Sequence, residues 1–355
     1  MRVIVAGGGT GGHLFPGIAV ADALRKDHGA EVRFVGSMHG IERDLVPQNG
    51  YPVDLLPVRG LRGKSLAASL AALRDAVVSL AKARAILADF DPDLAIGVGG
   101  YAAFPAIFAA WRHGVPIVLL EQNAAMGLTN RLLQRLAVRV CVSFAETAEA
   151  LGPRAVLTGN PIRFTRPDRE REAPVGRRLR LLVFGGSAGA RKLNQIVPAA
   201  LALMRQPIEV RHQTGRSEEQ AVREAYSAQG VEARVEPFID DMGAAYSWAD
   251  LVLCRAGAST IAELTVLGCP AILVPYPYAT GDHQTENARP LAAAGAAWLV
   301  PDSSLSPEGL RENLEILQES PEKLEIAGRA ARGLGRPEAL RAVTDVCVAA
   351  SAGAV

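Results

Sequence analysis

The sequence is poor in aromatic residues and has almost no net charge. Of its 355 residues, 9 are Phe, 6 are Tyr and 3 are Trp, and 38 basic side chains stand against 37 acidic ones. Because single-stranded nucleic acids are held by stacked aromatic rings, this scarcity disfavours such a surface. A generic polyanion binder needs an excess of cations, so the net charge of +1 disfavours that class as well. We therefore expect no nucleic-acid partner.

Cysteines and long apolar runs are also scarce. The four cysteines, Cys141, Cys254, Cys269 and Cys347, form no CxxC pair and no group with metal-site spacing. This pattern is typical of buried thiols in a reducing compartment, which favours the cytosol. No stretch of about 20 uncharged apolar residues occurs, and the first strand runs straight into a glycine cluster. We therefore expect neither a membrane-spanning helix nor a signal peptide.

The length and the charge distribution predict two domains. A chain of 355 residues corresponds to about two domains of ordinary size. The segment 161–180 is polar, contains three prolines and carries 7 basic against 3 acidic side chains. Residues 1–160 carry a net charge of +3, and residues 181–355 carry −6. We interpret the Arg-rich segment as the linker between the domains.

Both halves open with a short apolar strand, then glycines and a helical pattern. Further Val-, Ile- and Leu-rich runs alternate with helical patterns, as expected for parallel strands covered on both faces. The predicted strands lie near 3–6, 32–35, 53–56, 94–98, 116–120 and 138–142, and near 181–184, 208–212, 233–236, 250–253, 271–274 and 297–300. The predicted fold is α/β, with two doubly wound, Rossmann-like parallel-sheet domains that face an interdomain cleft, where ligands would bind.

The glycine cluster at 7–12 indicates a ligand site that is neither an NAD site nor a P-loop. It matches GxGxxG, but the second strand ends in Gly36 instead of the acid that holds an NAD ribose. His13 stands where a P-loop requires Lys. Glycines let backbone amides approach an anion or a hydroxyl at a helix N-terminus, and the alternative is a tight strand-to-helix turn. Similar loops occur at 97–101 and 185–187.

His13 directly follows the first loop and is expected at the N-terminus of a helix. There the helix dipole disfavours the imidazolium, which leaves a neutral ring able to accept a proton. The alternative is a histidine that caps the helix or packs against its neighbours. Position alone gives the two interpretations equal weight.

Two segments of the second half place polar groups at predicted strand ends. In residues 254–263, the amides near Ala258–Thr260 would face phosphate and Glu263 would accept from ribose hydroxyls. The alternative is a Thr-x-x-Glu capping box formed by Thr260 and Glu263. The amide and imidazole groups of residues 282–287 suit sugar hydroxyls, and the alternative there is a helix N-cap supplied by Asp282.

Three alternating aspartates form the strongest metal-like pattern. Asp89, Asp91 and Asp93 lie on the approach to a strand, at the end opposite the expected cleft. We interpret them as a solvated turn and predict no metal site and no cofactor.

Seven motifs occur in an order that resembles the MurG family of glycosyltransferases. They are GGGTGGH (7–13), EQN (121–123) with GLTNR (127–131), GNPIR (159–163), GGSAGAR (185–191), FIDDM (238–242), CRAGASTIAE (254–263) and DHQTENA (282–288). The resemblance covers essentially the whole chain. It implies an inverting transferase with the two-domain GT-B fold. Such an enzyme moves GlcNAc from UDP-GlcNAc to the C4 hydroxyl of the MurNAc in lipid I, and it gives lipid II and UDP.

The resemblance implies that the second domain, residues 162–336, binds UDP-GlcNAc. Ile239 would lie by the uracil, and Glu263 would hold the ribose. Ser187 and the amides of Ala258–Thr260 would hold the diphosphate, and Gln284 with His283 would recognise the GlcNAc hydroxyls. The full set of expected UDP-GlcNAc contacts is Thr10, Gly11, Gly12, Asn123, Arg163, Ser187, Ile239, Ala258, Ser259, Thr260, Glu263, His283 and Gln284.

The first domain, residues 1–161, would bind lipid I, with the helix at 337–355 packing back on it. The lipid diphosphate would lie against the loops 7–12 and 97–100, and His13 would be the general base. The expected acceptor contacts are Gly9, Gly99, Gly100 and Tyr101, and Asn123 would also line this side. The chain departs from the family pattern at Leu120, where many members have His, and at Ala188, where Gln is common. The first departure gives His13 more weight as the base.

A basic stretch with an apolar stripe points to a membrane surface. Residues 59–84 carry Arg59, Arg62, Lys64, Arg74, Lys82 and Arg84 against the single acid Asp75. Apolar residues recur with helical spacing at Leu66, Leu70, Leu73, Val77 and Leu80, and we expect this stripe to be core. The flanking cations, joined by Trp111 and Arg112, would contact anionic lipid of the inner leaflet, and the alternative is a basic rim that only faces solvent. The expected location is the cytoplasmic face of the bacterial inner membrane, with cell-wall synthesis and division proteins as further partners.

Three other function classes remain open on sequence alone. A different two-domain UDP-sugar enzyme, such as a UDP-GlcNAc epimerase, would turn over UDP-GlcNAc without an acceptor. A non-catalytic module would bind a nucleotide sugar or a lipid carrier without turnover. A hydride-transfer enzyme is disfavoured because the acid that would hold the ribose is missing.

Overall fold

The computed structural model describes residues 1–58, 66–162, 174, 176–186 and 189–354, and the chain divides into two units. The first unit comprises Met1–Arg163 and Glu338–Val355, and the second comprises Phe164–Pro337. Each unit is a parallel sheet covered by helices on both faces, which confirms the predicted α/β class.

The described part of the first unit has seven parallel strands in the order β3-β2-β1-β4-β5-β6-β7. They are β1 (Arg2–Gly7), β2 (Glu31–Ser37), β3 (Val53–Leu56), β4 (Leu94–Gly99), β5 (Ile117–Glu121), β6 (Arg139–Val142) and β7 (Ala155–Leu157). The helices between them are α1 (Gly11–His28), α2 (Glu42–Gln48), α3 (Leu66–Phe90), α4 (Ala103–Arg112), α5 (Leu128–Leu133) and α6 (Ala145–Leu151). Strand order reverses between β1 and β4, so the crevice beyond their carboxyl ends is where this topology places a ligand.

The described part of the second unit repeats the plan with six parallel strands in the order β10-β9-β8-β11-β12-β13. They are β8 (Arg180–Phe184), β9 (Glu209–Gln213), β10 (Arg234–Glu236), β11 (Leu251–Cys254), β12 (Ala271–Leu273) and β13 (Ala297–Leu299). The helices are α7 (Arg191–Ala202), α8 (Glu219–Ala228), α9 (Met242–Trp248), α10 (Ala258–Leu267), α11 (His283–Ala293), α12 (Pro307–Glu319) and α13 (Pro321–Leu334). Here the order reverses between β8 and β11.

Alternate residues of the central strands serve opposite faces of each sheet. In β1, Val3 and Val5 belong to one buried cluster and Ile4 and Ala6 to another. Continuous apolar strands follow from this arrangement, because both faces exclude water. The last helix, α14 (Ala339–Ser351), packs on α1 and on β4 to β6 within the first unit. All four cysteines are buried, as the sequence predicts, and burial raises the pKa of the Cys141 thiol to about 12.

Two details of the sequence analysis are wrong. The short edge strand β7 is missed, because three residues with partly exposed side chains give too weak a pattern. The predicted core stripe of α3 is also wrong at Val77, which is 63% exposed. The face that α3 buries instead carries Asp75, Ser79, Ala83, Leu87 and Phe90. Leu80 is partly buried and packs against a core cluster of the first unit, as the predicted stripe requires. The side chains of residues 66–73 and all of residues 59–65 lie outside the described residues, and with them the predicted positions Leu66, Leu70, Leu73, Arg59, Arg62 and Lys64.

Candidate active site

The two glycine loops of the first unit contact each other through their backbones. They follow β1 and β4, the strands on either side of the order reversal. The Gly8 amide donates to the Gly99 carbonyl at 3.3 Å. A Cβ on Gly7 would lie 2.4 Å from Gly99 O, and a Cβ on Gly100 would lie 2.4 Å from Gly8 O. Close packing therefore explains part of the glycine content, as the tight-turn alternative proposed.

A buried carboxylate that sequence reasoning missed supports the first loop. Glu42, which is 1% exposed, accepts from the Gly9 amide at 2.8 Å and from the Ser37 amide at 2.7 Å. A Cβ on Gly8, Gly36 or Gly40 would lie within 2.5 Å of its side chain. The Gly8 and Gly9 amides are thus already bonded. The amides of this segment that could still bind an anion are those of the first turn of α1, where helix geometry leaves amides without intrahelical acceptors.

His13 lies in the first turn of α1, beside both loops. Its Nδ1 is 3.1 Å from Oε1 of Gln122, the residue after β5. Gln122 in turn donates from Nε2 to the Val98 carbonyl at 3.1 Å. The ring is half-buried and bonds a side chain from another element, so it does not cap its own helix. A Cβ on Gly99 would lie 3.0 Å from His13 Nδ1, so the second loop also limits where the ring can lie.

The segment after β5 is held by Glu121. This buried carboxylate accepts from the Asn123 amide, the Gly127 amide and Asn130 Nδ2, each at 3.0 Å. The Asn123 side chain also donates to it, at 3.4 Å. These bonds fix the loop that carries Asn123 next to Gln122. The half-exposed Tyr101 ring approaches the first loop, with Cε1 at 3.8 Å from where a Gly9 Cβ would be.

The first unit therefore brings together most of its predicted site residues at one edge of its sheet. Those that share this edge are Gly9, Thr10, Gly11, Gly12, His13, Gly99, Gly100, Tyr101 and Asn123. Thr10 is the N-cap residue of α1, with no side-chain bond to the helix. Glu42 and Gln122 also belong to this cluster and were not predicted. Each bonds a site residue that is far away in the sequence.

In the second unit, α10 begins at Ala258, directly after β11. Ala258, Ser259 and Thr260 form its first turn, with Gly257 as the N-cap residue. The capping-box alternative is wrong, because Thr260 lies inside the helix and not at its N-cap. The first-turn amides point out of the helix at its positive end, as an anion site requires. The Ser259 hydroxyl is buried and has no hydrogen-bond partner among the described residues.

Glu263, one turn further along α10, is held by a buried phenol. The Tyr246 hydroxyl donates to Glu263 Oε2 at 2.7 Å, and its ring packs edge-on against Phe184 at 5.9 Å. Burial raises the pKa of Tyr246 well above its ordinary value, so the phenol keeps its proton. Motif reading misses Tyr246 because it is a buried residue that bonds a predicted binding residue and is not itself expected to touch the substrate.

Gln213 at the end of β9 joins two predicted donor segments. Its Nε2 donates to the Gly186 carbonyl at 3.0 Å, and its Oε1 accepts from the Ile239 amide at 2.8 Å. The glycine loop after β8 and the segment with Ile239 are therefore fixed to one side chain. The Ile239 side chain itself is buried.

Gln284 is already bonded through its oxygen. Oε1 accepts from the Ala256 amide at 3.1 Å and the Tyr276 amide at 2.8 Å, so the amide nitrogen is the group of this side chain that could donate to a sugar hydroxyl. His283 is the first residue of α11. Asp282 lies at the N-cap position but accepts from the Thr285 hydroxyl at 2.7 Å and caps no backbone amide. Asp282 therefore lies at the predicted N-cap position, but its side chain does not cap the helix.

Some predicted residues do not belong to the group of site residues in either unit. Arg163, Ser187 and Ala188 lie outside the described residues. Two of the three aspartates pair with arginines near the opposite strand ends, Asp91 with Arg2 at 2.7 Å and Asp89 with Arg33 at 3.0 Å. Asp93 accepts from the Arg2 backbone amide at 2.7 Å. Among the residues that the structure describes, no group of three His, Cys, Asp or Glu side chains could hold a metal ion.

Comparison with known proteins connects both units to one family. Residues 3–142 match the glycosyltransferase family 28 N-terminal domain, and residues 180–342 match the glycosyltransferase family 28 C-terminal domain. A UDP-N-acetylglucosamine–N-acetylmuramyl-(pentapeptide) pyrophosphoryl-undecaprenol N-acetylglucosamine transferase of Myxococcus xanthus is 46% identical, over 98% of this chain and 92% of the relative. A protein of the same name from Alkalilimnicola ehrlichii is 47% identical, over 98% of each chain. The crystal structure of MurG from Acinetobacter baumannii is similar with a TM-score of 0.83 and 33% identity, over 98% of this chain and 99% of that one.

Proposed function

The chain belongs to the MurG family within glycosyltransferase family 28, and on that premise we propose how its residues carry out the transfer. The reaction moves GlcNAc from UDP-GlcNAc to lipid I, in peptidoglycan synthesis, and releases UDP. The acceptor is the C4 hydroxyl of MurNAc, and the product is lipid II. The observation that carries the proposal is the clustering of polar side chains and helix N-termini at the order reversal of each sheet.

The first unit holds lipid I and removes its proton. A sugar hydroxyl keeps its proton at neutral pH, so a base must accept it while the new C–O bond forms. His13 is that base, since it lies between the glycine loops and carries the imidazole of this cluster. The lipid diphosphate lies against the first turn of α1 and the loop after β4.

The second unit holds UDP-GlcNAc and stabilises the leaving group. The first-turn amides of α10, with Ser187, bind the diphosphate, and the helix dipole stabilises the negative charge that develops on UDP. Glu263, oriented by Tyr246, accepts from the ribose hydroxyls. Ile239 lies by the uracil, Gln284 donates to the GlcNAc hydroxyls with His283 beside it, and Arg163 approaches the donor. Attack from the face opposite UDP inverts the anomeric centre.

The enzyme binds the cytoplasmic face of the inner membrane at its surface. Among the described residues, no helix has the length and apolarity needed to cross a bilayer. Exposed apolar side chains on α3 and α4 support surface binding: Val77, Phe104 and Trp111, with the Arg112 guanidinium 5.8 Å from the Trp111 ring. An aromatic ring beside a cation suits the boundary between acyl chains and anionic headgroups.

The test is His13→Ala, with His28→Ala as the matched control. His28 is an exposed histidine at the other end of the same helix. His13→Ala should lower lipid I-dependent UDP release by about 10²- to 10⁴-fold, the usual contribution of a general base, while calorimetry shows unchanged UDP-GlcNAc binding. His28→Ala should leave both unchanged. Full turnover by His13→Ala would remove this residue from the base role.

A further inference from the structure

A buried glutamine links the proposed base to the backbone of the sheet. Gln122 is 2% exposed and follows β5, which pairs with β4. Its side chain lies between the Val98 carbonyl and the His13 ring, with a distance of 3.1 Å on each side. All three groups belong to the first unit.

The bonding capacities of these groups leave a single arrangement of protons. A backbone carbonyl only accepts, so the NH₂ of Gln122 must face Val98 and its oxygen must face His13. An amide oxygen also only accepts, so the His13 Nδ1 must carry the hydrogen. In the neutral ring, Nε2 is then the nitrogen without a proton.

We propose that Gln122 is a positioning residue that selects the Nδ1–H tautomer of His13. The selected tautomer presents the Nε2 lone pair as the proton acceptor, which is the form a base needs. Gly99 leaves room for the same ring position, because a Cβ on that residue would lie 3.0 Å from His13 Nδ1. The proposal rests on the base role of His13 in the proposed function. It adds the hydrogen bond that keeps the ring in the tautomer required for that role.

The test combines nitrogen-15 NMR of histidine-labelled protein with steady-state kinetics. In the wild type, at a pH where His13 is neutral, we expect the Nδ1 signal of a protonated nitrogen and the Nε2 signal of an unprotonated one. Gln122→Leu should give a mixture of tautomers or the reverse tautomer. It should lower kcat by about 10-fold or more, with the KM for UDP-GlcNAc unchanged within about twofold.

Two further variants separate this effect from damage to the fold. Gln134→Leu removes a partly exposed glutamine whose side chain donates to the Arg131 carbonyl of its own segment, and it should behave as the wild type. Gln122→Glu keeps an acceptor oxygen towards Nδ1 and should retain the wild-type tautomer. Thermal unfolding of each variant shows whether it is folded at the assay temperature.

The results distinguish the proposal from the function on which it rests. A wild-type His13 with its proton on Nε2, or an unchanged tautomer and kcat in folded Gln122→Leu, would overturn the proposal. If Gln122→Leu changes the tautomer while His13→Ala retains full turnover, Gln122 does select the tautomer, but His13 is not the base.

Discussion

At the scale of single residues, the buried imidazole of His212 makes stability depend on pH. It bonds Tyr226 at 2.9 Å and Asn194 at 3.1 Å, and burial lowers its pKa from 6.5 to about 3. Between these two values the unfolded chain binds a proton that the folded chain does not, so stability falls as pH falls from 6.5 towards 3. The stability that His212 contributes is fully present above pH 6.5.

The expected slope from this one group is at most about 1.4 kcal/mol per pH unit. Urea unfolding at about pH 6 and about pH 4 should show a smaller loss for His212→Gln than for the wild type. His28→Gln, at an exposed position, should follow the wild type. Equal losses for His212→Gln and the wild type would contradict a neutral buried imidazole.

The residues that sequence reasoning could find differ in kind from those it missed. His13 and Glu263 stand in recognisable motifs next to predicted strand ends. Gln122 and Glu42 act on residues 109 and 33 positions away, and Gln213 and Tyr246 act over 26 and 17 positions. Such pairings depend on which strands lie side by side, and no local spacing in one sequence reports that.

At the scale of elements, the two glycine loops of the first unit depend on their mutual contact. Gly100 has a φ of +77°, and a Cβ there would lie 2.4 Å from the Gly8 carbonyl oxygen. Gly114, after α4, has nearly the same φ of +75°, and a Cβ there would meet nothing within 4 Å. Alanine at either position has the same backbone strain, but only alanine at Gly100 would also overlap with another loop.

Gly114→Ala should cost about 1 kcal/mol of unfolding free energy, the strain of a left-handed alanine. Gly100→Ala carries the same strain and must also push the two loops apart, so it should cost clearly more and lower turnover. Urea denaturation of both variants with an activity assay provides the measurement. Equal losses of stability, with full activity in Gly100→Ala, would mean that contact between the loops is unimportant.

Elements were predictable where burial leaves a strong pattern. The central strands are continuous runs of apolar residues, and the predicted positions agree with β1 to β6 and β8 to β13 to within a residue or two at each end. The edge strand β7 has no such run. In α3 the sequence is rich in apolar residues all round, so hydrophobic spacing did not identify the buried face, which includes Asp75 and Ser79.

At the scale of the whole molecule, binding to the membrane surface should depend on Trp111. This side chain is 43% exposed on α4, and its ring lies tilted against Phe108, which stacks on Phe104. Trp111→Glu should weaken co-sedimentation with phosphatidylglycerol vesicles by about 10-fold or more, because a buried aromatic contributes roughly 1.5–3 kcal/mol. UDP-GlcNAc binding should not change.

Ile326→Glu is the matched control, because Ile326 is 55% exposed on α13 of the second unit. It should bind vesicles as the wild type does. Equal binding by the two variants, or unchanged binding by Trp111→Glu, would contradict a membrane surface on α3 and α4.

The sequence predicted the class of fold of the whole molecule because each half repeats one strand–glycine–helix plan. The family was identifiable because seven motifs occur in one order along the chain, although each is short. The chemistry of the site was less accessible, because it depends on hydrogen bonds made by Glu42, Gln213 and Tyr246, which lie outside the seven motifs, and by Gln122, a motif residue to which the sequence assigned no role.

The central claim is the transfer of GlcNAc to lipid I. The most direct measurement is UDP release from UDP-GlcNAc in detergent, with and without a lipid I analogue, together with NMR identification of the sugar product. We predict release that requires the acceptor, and a product in which GlcNAc is β-linked to the C4 oxygen of MurNAc. UDP release without the acceptor, with an epimerised sugar as product, would contradict the claim and favour an epimerase. Binding of UDP-GlcNAc without any transfer would contradict it as well.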